Sequence, residues 1–161
     1  MTDRSTQNGV RAERILVVDD EKQICEIITS MLMAANYECR EAGSGLEALA
    51  LLESGELFDL MLSNLLMPDL GGIGLLERTT DKYPDMSVVM VTGVHDVSMA
   101  LTAMRNGAFD YLMKPFEREQ LVAVVRRALD DRRMKLERRA YVSSLESQVA
   151  TLTEQLRGRK S

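Results

Sequence analysis

Between Arg14 and about Asp130 the chain alternates short, nearly unbroken apolar runs with segments of helical periodicity, and this alternation leaves few folds open. Four of the runs end in polar residues of a particular kind. Ile15-Leu16-Val17-Val18 leads into Asp19-Asp20-Glu21, and Asp59-Leu60-Met61-Leu62-Ser63 leads into Asn64. Val88-Val89-Met90-Val91 leads into Thr92-Gly93, and Tyr111-Leu112-Met113 leads into Lys114-Pro115. Apolar runs without polar alternation have both faces covered, the situation of strands in a parallel sheet flanked by helices. The intervening segments supply those helices. Ile24, Ile27, Ile28, Met31 and Leu32 form one stripe; Leu46, Ala48, Leu49 and Leu52 form part of a second, with Ser44 as N-cap and Gly55 as stop signal. A third helix is expected from near Gly72 to before Pro84, and a fourth from Asp96 to Asn106-Gly107. Five such units make a doubly wound α/β domain with a five-stranded parallel sheet, whose functional groups gather at the carboxyl ends of the strands.

The four polar ends would then share one pocket. Two carboxylates, a hydroxyl and an ammonium brought together in this way suit Mg²⁺-assisted transfer of a phosphoryl group. The missing piece is the nucleophile: Asn64 stands where the surroundings call for an aspartate.

Composition narrows the class. With 161 residues, one domain plus an appendage is expected, and a net charge of -5 argues against a generic nucleic-acid binder. Cys25 and Cys39 are too few, in too apolar a context, for a disulfide framework or a zinc site. No apolar run approaches the ~20 residues that span a bilayer, and the polar stretch 1–13 lacks the centre of a secretory signal. The expectation is a cytoplasmic protein that makes no membrane contact, with residues 1–13 a disordered tail.

Beyond Phe116 the pattern changes. From Glu117 to Leu156 there is neither proline nor glycine, so a single helix of roughly 60 Å is expected. Leu121, Val124, Val125 and Ala128 suit packing on the sheet. Farther along, Val142, Leu145, Val149, Leu152 and Leu156 recur in alternating steps of three and four, with valine at a and leucine at d, which favours a parallel two-stranded coiled coil. Lys135 and Arg138 interrupt that phase upstream, and a stripe packing on a further domain is the other reading. Residues 14–130 are thus one domain, and 131–161 a helical linker or coiled coil that makes the chain a homodimer. The basic stretch from Arg126 to Arg139 contains Asp130, Asp131 and Glu137, so it reads as a solvated helix with i,i+4 pairs rather than a nucleic-acid surface.

Over residues 14 to 130 the chain resembles a two-component response-regulator receiver domain of the chemotaxis-regulator kind. The resemblance rests jointly on Ile15-Leu16-Val17-Val18-Asp19-Asp20-Glu21, on Asp59 through Asn64-Leu65-Leu66-Met67-Pro68-Asp69-Leu70-Gly71-Gly72, on Val91-Thr92-Gly93, and on Asp110-Tyr111-Leu112-Met113-Lys114-Pro115-Phe116. It implies a flavodoxin-like sheet of strand order 2-1-3-4-5. A histidine kinase or phosphotransfer protein would be the partner, and Mg²⁺ the cofactor, held by Asp19, Asp20, the residue at position 64 and the backbone carbonyl of Leu66. The resemblance also implies that Thr92 hydrogen-bonds the phosphoryl oxygen, that Lys114 pairs with it across a cis Lys114-Pro115 bond, and that Tyr111 swings inward as the readout, making Thr92 and Tyr111 the switch.

Asn64 departs from this pattern. Covalent catalysis by a carboxylate needs an anionic oxygen, so Asn64 is not expected to accept phosphate, and its neutral oxygen should weaken Mg²⁺ binding. Two carboxylates ~4–5 Å apart repel by a few kcal/mol at an effective dielectric of 20, so the carboxamide also relieves the metal-free pocket. Asn64 is either natural, making this a pseudo-receiver, or a replacement that traps the unphosphorylated state. Retention of Asp19, Asp20, Thr92, Tyr111 and Lys114 favours the second. The expected function is a non-enzymatic signalling switch, locked against phosphorylation, that transmits its state through the long helix. The alternatives are a regulatory fragment of a larger protein with phosphodiesterase or ATPase output, or a phosphate-independent adaptor. A haloacid-dehalogenase-type phosphatase is disfavoured, because it needs aspartates two apart and here Glu21 follows Asp19-Asp20.

Overall fold

A computed structural model describes residues 6, 7 and 10–159. Five strands, β1 (Arg14–Val18), β2 (Glu38–Ala42), β3 (Leu60–Asn64), β4 (Ser87–Thr92) and β5 (Asp110–Met113), pair in parallel in the order β2-β1-β3-β4-β5. The helices α1 (Lys22–Ala34), α2 (Gly45–Glu53), α3 (Gly72–Thr80), α4 (Val97–Arg105) and α5 (Arg118–Gly158) follow the strands in turn. This is the doubly wound, flavodoxin-like fold with an extended C-terminal helix that the residues and the resemblance imply.

The alternation of side chains along each strand explains why the runs are apolar throughout. Leu16, Val18, Met61, Val88 and Met90 face one layer, where they pack with Ala48 and Leu52 of α2, Leu75 and Leu76 of α3, and Ala100 and Ala103 of α4. Ile15, Val17, Leu60, Leu62, Val89, Val91 and Leu112 face the other, against Cys25, Ile28 and Leu32 of α1 and Leu121, Val124, Val125, Ala128 and Leu129 of α5. The core methionines Met61 and Met90 are fully buried, and both cysteines are free thiols.

Local signals set the helix ends. Ser44 accepts a hydrogen bond from the Glu47 N–H at 3.1 Å, while Glu47 accepts from the Gly43 N–H at 2.9 Å, a reciprocal arrangement that satisfies two otherwise unpaired donors. Gly55 carries a φ of 97° just after α2, a conformation glycine adopts without steric cost. Glu117 and Gln120 form a second reciprocal cap at the start of α5. His95 lies exposed in a short turn before α4, and Asp96 makes no side-chain capping bond.

Of the stretch expected to be a disordered tail, residues 1–5, 8 and 9 lie outside the described residues. Thr6–Gln7 and Val10–Arg11 pair antiparallel, and Arg11 reaches Asp59 at 3.6 Å. Among the described residues, no helix is long and apolar enough to cross a membrane.

Candidate functional site

The parallel register fixes which strand ends meet. Val18 lies beside Ser63 and Asn64 beside Val91, and the Leu65 N–H extends the β3–β4 ladder to the Val91 carbonyl at 2.9 Å. The Lys114 N–H donates to the Thr92 carbonyl at 2.7 Å, which seats the lysine one residue past β5. The Lys114-Pro115 bond is cis, as the resemblance implies.

Asp19, Asp20, Asn64, Leu66 and Lys114 come together at the carboxyl end of the sheet. The Lys114 ammonium lies 3.3 Å from Asp19 Oδ2 and 3.5 Å from Asn64 Oδ1. The Asn64 Nδ2 donates to Asp20 Oδ1 at 3.2 Å and to the Leu66 carbonyl at 2.8 Å. Asp19 is 1% exposed, with its other oxygen accepting from the Glu21 N–H at 2.9 Å. Burial pushes the Asp19 carboxyl above its ordinary range, while the Glu21 N–H and the Lys114 ammonium pull it back down. Asp20 is exposed, as is the Leu66 side chain, so the site has one dry wall and one wet one.

The conformation of the β3–α3 loop depends on a glycine. A Cβ at Gly72 would lie 2.6 Å from the Asn64 carbonyl oxygen and 3.0 Å from Leu65 Cα. Glycine alone lets α3 begin hard against the backbone of the site, and the Gly72 N–H closes the loop onto the Leu65 carbonyl at 2.9 Å.

Thr92 is fully buried at the end of β4 and its hydroxyl donates to the Gly93 carbonyl at 3.2 Å. Tyr111 is half-buried on the edge strand β5 and packs against the layer of α2, α3 and α4. Neither side chain has a hydrogen bond to the carboxylate cluster among the described interactions.

The oxygens present suit a hard cation. Asp20 Oδ1 and the Leu66 carbonyl both lie within hydrogen-bonding distance of one atom, Asn64 Nδ2, so they converge on a single point, with the Asp19 carboxylate beside them through Lys114. Carboxylate and carbonyl oxygens with room for water are the ligand types Mg²⁺ takes. The Asn64 carboxamide is the exception, because it turns N–H rather than oxygen toward that point. Among the described residues no group of three or more His, Cys, Asp or Glu side chains gathers as a metal cluster.

The other set of sequence-expected residues lies far along α5. Val142, Leu145, Val149, Leu152 and Leu156 are all exposed, between 41% and 62%, and form one continuous stripe without a packing partner among the described residues. Upstream, the basic stretch does more than the i,i+4 reading expects. Lys135 pairs with Asp131 and Arg133 with Asp130 along the helix. Arg132, however, turns inward to Asp59 at 3.1 Å, and Arg139 reaches Asp85 at 2.7 Å. Sequence reasoning missed this joint. The signal for the Arg132 pair is Asp59, a carboxylate directly before the apolar run Leu60–Leu62.

The profile of the family described as "Response regulator receiver domain" matches residues 15–126. The chain is 31% identical over 136 residues to the C4-dicarboxylate transport transcriptional regulatory protein DctD of Rhizobium meliloti, covering 84% of this chain and 29% of that one. It is 36% identical over 115 residues to the DNA-binding transcriptional regulator NtrC of Salmonella typhimurium, covering 71% and 24%. Among solved structures, NtrX from Brucella abortus in complex with ADP is 33% identical with a TM-score of 0.76, over 83% of this chain and 30% of that one. The chain therefore spans less than a third of the length of these relatives.

Proposed function

This chain belongs to the response regulator receiver domain family, and from that membership we propose that it is a cytoplasmic signalling switch, not an enzyme, locked against phosphorylation at Asn64. The observation that carries the reading is the position of the Asn64 carboxamide. It lies between the Lys114 ammonium and the Asp20 carboxylate, 3.5 and 3.2 Å away, where a nucleophilic carboxylate would complete the group. A carboxamide cannot supply the anionic oxygen that covalent transfer requires.

The roles of the remaining residues follow from their chemistry. Lys114 would balance charge on a transferred phosphoryl group. Thr92 and Tyr111 are the switch: Thr92 is buried at the end of β4 and Tyr111 half-buried on β5, and two such positions can bias a two-state equilibrium. Mg²⁺ would sit among Asp19, Asp20 and the Leu66 carbonyl and neutralise charge on the transferring oxygens, weakened here because Asn64 brings no charge. A histidine kinase or phosphotransfer protein would be the natural donor for the aspartate form.

The output runs through α5. The exposed stripe from Val142 to Leu156 supports a parallel homodimer, with a and d positions of the two-stranded type. The relatives are three to four times as long as the matched region and include transcriptional regulators and a protein solved with ADP. That favours a regulatory fragment of a larger effector over a free-standing adaptor.

Acetyl phosphate, a small phosphoryl donor, tests the lock. The chain should remain unlabelled by intact-mass measurement, while Asn64→Asp should gain one phosphoryl group in a Mg²⁺-dependent manner. Labelling of the Asn64 chain, or failure of the aspartate variant to label, sinks the reading.

A further inference from the structure

We propose that the Asn64 amide is the pocket's built-in counterpart of a divalent cation, so that Mg²⁺ and the Asn64 side chain compete for the same oxygens. The inference rests on the receiver reading above and deepens it: Asn64 does not merely contribute a poor ligand, it occupies the ligand point.

The hydrogen bonds carry the argument. The Nδ2 group donates to Asp20 Oδ1 and to the Leu66 carbonyl at 3.2 and 2.8 Å, and these are two of the oxygens a cation would use. Donation from a single NH₂ group satisfies both. The amide is also held in this orientation. Its Oδ1 faces the Lys114 ammonium at 3.5 Å, and Lys114 is fixed in turn by Asp19 and by its N–H bond to the Thr92 carbonyl. Turning the amide to offer its oxygen would set that oxygen against a carboxylate and a carbonyl. It would also set the NH₂ group against an ammonium, replacing three attractive contacts with three repulsive ones.

A cation therefore faces an obstacle that a charge count does not include: it must displace the NH₂ group, and turning the amide oxygen onto the cation brings that NH₂ group against the Lys114 ammonium. Lys114 acts here as a positioning residue for Asn64.

The test separates an occupying amide from a weak ligand. If Asn64 is simply a neutral ligand, Asn64→Ala removes one oxygen and Mg²⁺ binding weakens. If the amide competes, Asn64→Ala frees Asp20 and the Leu66 carbonyl, and Mg²⁺ binds on the order of tenfold more tightly than to the unchanged chain, the equivalent of about one net hydrogen bond to a charged group. Titration calorimetry with MgCl₂, with Mn²⁺ electron paramagnetic resonance as a second probe, reads the affinity. Asn64→Ser, whose hydroxyl is too short to bridge both oxygens, should behave like the alanine variant and covers the case in which alanine does not fold. In the unchanged chain, saturating MgCl₂ should shift the Asn64 side-chain ¹H–¹⁵N resonances as the bonds to Asp20 and Leu66 break. Equal or weaker Mg²⁺ binding by both variants overturns the inference. If Asn64→Asp still takes phosphate from acetyl phosphate in that case, the receiver reading stands and only the competing amide is lost. If Asn64→Asp neither labels nor gains Mg²⁺ affinity, the reading of the pocket fails and the inference with it.

Discussion

Arg132 of α5 lies 3.1 Å from Asp59, the residue just before the strand that ends at Asn64. Asp59 is 7% exposed and also accepts from the Arg14 N–H at 2.7 Å. A buried carboxylate at the amino end of β3 thus holds the long helix to the sheet, on the edge opposite the pocket. Removing one member of such a pair leaves the other buried without its main counter-charge. Arg132→Met should cost about 1–3 kcal/mol, since the Arg14 N–H and the more distant Arg11 still serve Asp59. Urea denaturation measures it; an unchanged midpoint would show that the pair is incidental.

Gly72 makes a second, purely steric prediction. The Cβ of Gly72→Ala would meet backbone atoms of Asn64 and Leu65 at 2.6 and 3.0 Å, and neither is the end of a flexible side chain. Overpacking of this kind costs about 1–3 kcal/mol. The melting temperature should fall, and the resonances of Asn64 should move more than those of distant α1 residues. A neutral alanine would mean the loop gives way freely.

The thiols predict a pH dependence. Burial, with the nearby carboxylates Asp19 and Glu41, pushes Cys25 up to about 11, and burial with Glu41 and Glu38 pushes Cys39 up to about 12, from an ordinary 9.0. The folded chain therefore keeps these protons where the unfolded chain has released them. The resulting stability is intact below about 9 and falls away as pH rises from there through 11 and 12. Replacing both cysteines by alanine should flatten the alkaline decline of the urea midpoint. Near pH 8, iodoacetamide should modify both thiols far faster in urea than in buffer, because the thiolate is the reactive form. Rapid alkylation of the folded chain would refute the assignment.

Dimer formation through α5 has a direct measurement. Sedimentation or light scattering should give a dimer for the whole chain and a monomer for residues 1–139, which retain the Arg139–Asp85 contact. Leu152→Lys, at a d position, should act like the truncation because it places two charges at the seam. A monomer in every case removes the dimer from the account.

The pocket was legible in the sequence because a parallel sheet leaves little freedom at its carboxyl edge. Once Ile15–Val18, Leu60–Ser63, Val88–Val91 and Tyr111–Met113 read as parallel strands, the residues that follow them had to gather at one end of the sheet, and Asp19, Asp20, Asn64 and Lys114 meet there. The helix cap at Ser44 and the stop at Gly55 were legible for a similar reason: each is set by local backbone chemistry. The long helix was readable from the absence of proline and glycine.

Two features were decided only in three dimensions. Sequence identifies Asn64 as a carboxamide in an acidic pocket and expects its oxygen to face a metal. Which end of the amide faces Asp20 depends on where Lys114 sits, 50 positions away in the chain, because an ammonium and a carboxylate on opposite sides leave one low-energy orientation. Likewise, the arginines of α5 read as a solvated stripe until the strand start at Asp59 is placed beneath them. Periodicity reports which face of an element is apolar, but a charge finds its counter-charge through space, and that pairing exists only after the sheet and helix have packed.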